Sequence, residues 1–122
     1  MATYIYEGIT SKRLASLNRG KLYQGNTSAQ MAKIENGKVF RGITSTVALT
    51  IKDGKAFEGI SSKQIAKFDG KKLSQGISSM QIARVDDGKI FERIGSKQIG
   101  KIDGPATNDE ILAILHFVFK LF

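Results

Sequence analysis

Few side chains in this protein can carry a reaction. Its 122 residues include one histidine and no cysteine, so there is no thiolate nucleophile, no disulfide framework and no cysteine metal site. His116 stands alone in an apolar C-terminal stretch and reads as a solvated or packing group. Glu58 and Glu92 occupy equivalent places in a repeated pattern, but Gln24, Arg41 and Gln75 hold that place elsewhere. No pair of carboxylates is therefore implied for acid–base work. Phosphate loop, zinc spacing, calcium loop and dinucleotide fingerprint are all absent. We expect a protein that is not an enzyme and has no cofactor or metal.

Two sets of residues are better suited to holding a ligand. Lys33 with Phe40, Arg84 with Phe91, and Lys101 with Tyr6 are spaced to face one another across paired strands. A cation over a ring is a common surface contact worth about 0.5–1 kcal/mol; single-stranded nucleic acid is gripped by the same combination of stacking and charge. Gln30, Gln64, Gln81 and Gln98 recur at one register, where four amides would either line the centre of a ring or form a ladder of structural hydrogen bonds. Nineteen Lys and Arg against eleven Asp and Glu leave a net charge of +8, which favours anionic partners such as nucleic acid. The lysines are spread along the chain rather than bunched.

What must position these groups is a repeat. "GKVFRGITS" from Gly37 to Ser45 has near-copies beginning at Gly20, Gly54 and Gly88. With Gly8 as position one, glycine returns every seventeen residues at Gly25, Gly42, Gly59 and Gly76, and Arg93 takes the sixth place. Position four is serine six times (Ser11, Ser28, Ser45, Ser62, Ser79, Ser96), and positions ten and fifteen stay apolar. Asn36-Gly37, Asp53-Gly54 and Asp87-Gly88 are signals for two-residue hairpin turns. Asp69-Gly70 comes one residue early and predicts a bulge or an altered loop. The serines are expected in the connections between hairpins, each hydroxyl satisfying a local backbone group.

Alternation about the turn puts position ten opposite fifteen, nine opposite sixteen and eight opposite seventeen. The expected core face of the third hairpin is Val47, Leu49, Ile51, Ala56, Glu58 and Ile60. The other face is half wet, as in Met31 and Phe40 with Lys33, Glu35 and Lys38. Residues 4–7 supply the last positions of the unit that residues 93–105 begin. A unit split between the two ends suits a closed ring, in which the first strand pairs with the last and no edge is left open; a stacked open solenoid is the competing arrangement.

Beyond Pro105, "TNDEILAILHFVFKLF" starts with a capping-box spacing, Thr107 to Glu110, and predicts a helix from Asp109 to Phe122. "HFVFKLF" would also suit a strand. As a helix it would be about 20 Å long, too short for the roughly 30 Å of a bilayer core. Only Glu110, Ala113, His116 and Lys120 would form a polar stripe. The expectation is that it covers the sheet and meets a second copy through Ile111, Leu112, Leu115, Val118, Phe119 and Phe122.

The phrases "KDGKAFEGISS" and "VDDGKIFERIGS" resemble small, uncharacterised bacterial proteins made of tandem β-hairpins with pseudo-symmetry. The resemblance covers residues 4–104 and implies hairpins, with no activity and no functional residues attached. Residues 1–122 are expected to form a single, mainly β domain of six closed hairpin repeats (4–105) and a C-terminal helix (107–122). The start lacks a basic region followed by an apolar run, so the cytoplasm is expected. The expected role is a structural or binding module that forms a homo-oligomer; the alternative is a binder of nucleic acid or another polyanion.

Overall fold

The turns come first, because they set the register. In Asn36-Gly37 both central residues have left-handed backbone, φ +51° and +77°. Asp53-Gly54 and Asp87-Gly88 do the same, as a two-residue turn matched to strand twist requires. A side chain at Gly54 would put its Cβ 2.5 Å from the Phe68 carbonyl oxygen, so the second turn residue is glycine for space as well as for φ. The early Asp69-Gly70 makes an altered turn without a bulge: glycine moves to the first central place at φ +100°, and Asp69 Oδ1 accepts from the backbone N–H of Lys71 and Lys72. These bonds hold the Asp69 carboxyl below its usual pKa.

A computed structural model describes residues 3–10, 12–25, 27, 29–44, 46–61, 63–76, 80–92 and 97–122. Its strands are β1 (Thr3–Glu7), β2 (Arg13–Asn18), β3 (Lys21–Gln24), β4 (Gln30–Glu35), β5 (Lys38–Arg41), β6 (Val47–Lys52), β7 (Lys55–Glu58), β8 (Gln64–Phe68), β9 (Lys72–Gln75), β10 (Gln81–Asp86), β11 (Lys89–Glu92) and β12 (Gln98–Asp103), followed by helix α1 (Asn108–Phe117). Each strand pairs antiparallel with its neighbours in sequence, and β1 pairs with β12, so the twelve close into a barrel. The closing seam aligns Tyr4 with Asp103, Ile5 with Ile102 and Tyr6 with Lys101. No sheet edge is left for another chain to pair with.

Curvature has a local source. Wherever a short strand meets the next long one, the register slips at position seven, as between Val39↔Leu49 and Phe40↔Val47 or Leu22↔Ala32 and Tyr23↔Gln30. An extra residue bends and twists its strand, and repeating it around the sheet supports closure.

Twelve strands about 4.8 Å apart and tilted about 40° give a barrel of roughly 12 Å radius. Side chains fill an eight-stranded barrel but not one this wide. The inward residues are small or branched and buried: Ala15, Ala32, Ala66, Ala83, Leu49, Val39, Leu73 and Ile90 are all inaccessible to solvent. A helix about 10 Å across fits inside that layer. α1 occupies this place: Leu112, Ala113, Ile114 and Leu115 are four consecutive residues with no exposure, which requires neighbours on every side, and they belong to one cluster with the inward residues of the strands. Just past its end, the Phe119 ring lies on inward-facing Gly100, where an added Cβ would fall 2.2 Å from Cζ.

The helix is thus a plug in the lumen and not a cover on the outer face. Thr107 caps it, accepting from Glu110 N–H while the Glu110 carboxylate accepts from Thr107 N–H. It ends at Phe117, short of the expected Phe122, because the chain turns through left-handed Lys120 (φ +53°) and Leu121 N–H reaches the Leu115 carbonyl. Ala113, expected on a polar stripe, is fully buried.

Candidate nucleic-acid interface

The outward face is built from positions nine and fourteen, which the register sets directly opposite one another between hairpins. Position fourteen carries Lys21, Lys38, Lys55, Lys72 and Lys89; position nine carries Lys33, Lys67, Arg84 and Lys101. Neither position holds an acid in any copy. Cation therefore faces cation at Lys21↔Lys33, Lys55↔Lys67, Lys72↔Arg84 and Lys89↔Lys101, and Lys52↔Lys55 adds another such pair. Like charges placed directly opposite destabilise a sheet. Acids meet the belt at position eleven, where Glu35 faces Lys38 and Asp86 faces Lys89; among the described residues the ion pairs are Lys33–Glu35 at 3.5 Å and Lys12–Glu7 at 4.0 Å, both at the surface. Wrapping the sheet into a barrel has gathered lysines that are scattered in sequence into one equatorial belt.

Aromatic rings interleave with the belt. Lys33 Nζ lies 5.1 Å from the Phe40 ring centre, Arg84 Cζ 4.6 Å from Phe91 and Lys101 Nζ 5.1 Å from Tyr6. Arg13 lies over Tyr4 at 4.0 Å. These rings are half-buried and are not packed against the core, and the helix, lying inside, leaves them uncovered. Arg13 and Arg84 each keep a buried Nε without a hydrogen-bond acceptor.

The glutamines sit differently from the expected core side. The slip at position seven moves position six to the outer face: Gln30 is opposite Tyr23 and Gln64 opposite Phe57. Gln30 and Gln64 each donate at 2.7 Å to a glycine carbonyl in the next connection, Gly42 and Gly76, and Gln98 donates at 3.0 Å to Gly8. Where Val47 replaces the amide, the Thr50 hydroxyl reaches the equivalent Gly59 carbonyl instead. The glutamines, with Gln81 opposite Ser74, do not line the lumen.

The expected role of the six position-four serines falls outside the described residues. The hydroxyl that closes a connection is at position three: Thr10, Thr27, Thr44 and Ser61 donate to the carbonyl of position seventeen and accept from the N–H of position five. Position two is a second correction. Ile9, Ile43 and Ile60, expected on the core face, are 84–85% exposed, and Glu58 is exposed on the rim beside them.

Of the expected oligomer contacts, Leu112 and Leu115 are buried inside one chain, and Ile111, Val118, Phe119 and Phe122 are partly buried against the same core. Wholly enclosed side chains leave Leu112 and Leu115 no surface to offer a second copy. His116 packs beside the Phe117 and Phe122 rings, both with centres 4.9 Å away. Its pKa is lowered by burial first, a hydrogen bond with the Phe122 backbone opposing and the Arg41 charge adding to the effect.

Lys67 and the position-fourteen lysines other than Lys38 are the belt members that sequence reasoning missed; the signal was the lysine that follows the turn glycine in "GKLY", "GKVF", "GKAF" and "GKIF". No helix among the described residues is long and apolar enough to cross a membrane. The strands hold four to six residues, against about nine to eleven in a membrane-spanning barrel. No protein-family model matches the chain, nor does any curated protein or solved structure.

Proposed function

We propose that this protein is a non-catalytic binding module, six 17-residue hairpins closed into a ring, whose ligand is nucleic acid held against the outer basic belt. The observation that carries the reading is the cross-strand pairing of cations. A fold that only needed a soluble outer face would be more stable with mixed signs at those sites; cation pairs at four junctions instead favour an anionic ligand. Binding a polyanion would relieve the repulsion at Lys55↔Lys67, Lys72↔Arg84 and Lys89↔Lys101 while releasing counterions. Rings at Phe40, Phe91, Tyr6 and Tyr4 add surfaces on which bases can stack, which favours single strands.

Fluorescence anisotropy with mixed-sequence single-stranded DNA and RNA, titrated across salt concentrations, tests the reading. Affinity is expected to fall steeply and linearly on a log–log plot against salt, and Lys67→Gln with Lys72→Gln and Lys89→Gln is expected to flatten that slope. Failure of both nucleic acids to bind at low salt would overturn it.

A further inference from the structure

One mouth of the barrel exposes large apolar side chains. At the mouth formed by the connections between hairpins, Ile9, Ile43 and Ile60 stand 84%, 85% and 84% exposed and Met80 57% exposed. In each described connection of the sequence Gly-Ile-Thr/Ser the position-three hydroxyl donates to the carbonyl of position seventeen, beside the exposed isoleucine. The centre of the same mouth is filled by the end of the plug, with Phe117 beneath the Arg41 guanidinium at 5.8 Å and Phe122 against His116. An apolar crown surrounding an apolar centre, edged by charge, has the pattern of an association surface.

Charge decides the partner. At positions nine and fourteen the belt carries cations and no acid, whereas the crown interleaves both signs. Glu7, Glu58 and Glu92 open the connections that Lys12, Lys63 and Lys97 close, and Lys12 reaches Glu7 within its own connection. With Arg41 added, the described rim carries four cations and three carboxylates, close to balance on a protein of net charge +8. An anionic bilayer or a nucleic acid gains more from the belt than from this rim. A ring that carries both signs can set the carboxylates of one copy against the cations of a second across a two-fold axis, which a belt of cations alone cannot.

We infer that the rim bearing Ile9, Ile43 and Ile60 is a homodimer interface, two barrels meeting mouth to mouth with their basic belts facing outward. The contact leaves both plugs in place and is independent of nucleic-acid binding: loss of one leaves the other standing.

Sedimentation equilibrium of the full chain over a wide concentration range is the test. A concentration-dependent rise toward twice the 13.3 kDa chain mass is expected, with Ile43→Asp plus Ile60→Asp weakening association at least about tenfold and Ile43→Leu plus Ile60→Leu keeping it. Circular dichroism confirms that each variant folds. A wild-type chain that stays monomeric at every concentration, or an aspartate variant with unchanged association, overturns the proposal. Pelleting with phosphatidylcholine–phosphatidylglycerol vesicles gives a third readout: binding by a monomeric wild type that the aspartate variant loses assigns the rim to lipid and also overturns it.

Discussion

On β8, Ala66 and Phe68 face the lumen with 0% and 2% exposure, while Lys67 between them is exposed and faces Lys55. The two sides of one strand obey opposite rules. Inside, volume is the constraint: a helix must fit within the ring, so the inward residue at position eight is Ala four times, Leu once and Gly once. Outside, nothing limits volume, and like charges stand opposite one another at four of the junctions between hairpins. Folding alone does not explain that pattern.

The comparison breaks most visibly from the inside. Leu115→Ala removes a side chain enclosed on all sides and is expected to cost about 2–5 kcal/mol, read as a lower urea midpoint. If it costs as little as an exposed substitution, the helix does not plug the lumen.

A smaller loss is expected from overfilling. Gly100→Val drives a Cβ into the Phe119 ring and should destabilise by about 1–3 kcal/mol. Phe119→Ala in the same chain should recover part of it, so the double-mutant cycle is expected to be non-additive. Additive losses would mean that the two residues do not touch.

Acid probes the inner face at its mouth. Burial lowers the His116 pKa below its usual value, so the folded chain takes up this proton less readily than the unfolded one. The associated stability is present above a pH of about 6.5 and is lost as pH falls through the lowered folded pKa. The melting temperature is expected to fall between neutral and mildly acid solution, and His116→Phe to remove that part of the fall. An unchanged pH profile in the variant would show that the ring is solvated.

The smallest effect carries the opposite sign and sharpens the comparison most. Lys67→Gln relieves a direct repulsion with Lys55 and is expected to raise stability by a few tenths of a kcal/mol, up to about 1, while weakening nucleic-acid binding. Stability and binding that move together would remove the argument for the belt.

Much of this was legible along the chain. The hairpin turns, the facing of Lys33 with Phe40 and of Arg84 with Phe91, and the seam between β1 and β12 are local or periodic facts, and period-two alternation about an Asn-Gly turn is enough to state them. The capping box at Thr107 was legible for the same reason. The glutamines were misplaced because one bulge reverses every face assignment beyond it, and position seven carries no residue type that announces a bulge. Ile9, Ile43 and Ile60 were misplaced because hydrophobicity alone does not say on which side of a connection a residue lies.

The repeat by itself determined which residues pair, since strand register depends on neighbours a few residues away. Only the closed tertiary structure decided where those pairs go. The radius of a twelve-stranded ring exceeds what its inward side chains can span, which draws the apolar tail into the lumen; the same closure carries lysines distant in sequence onto one outer belt. Neither result is a property of any short segment, because both arise from the circumference that all the strands make together.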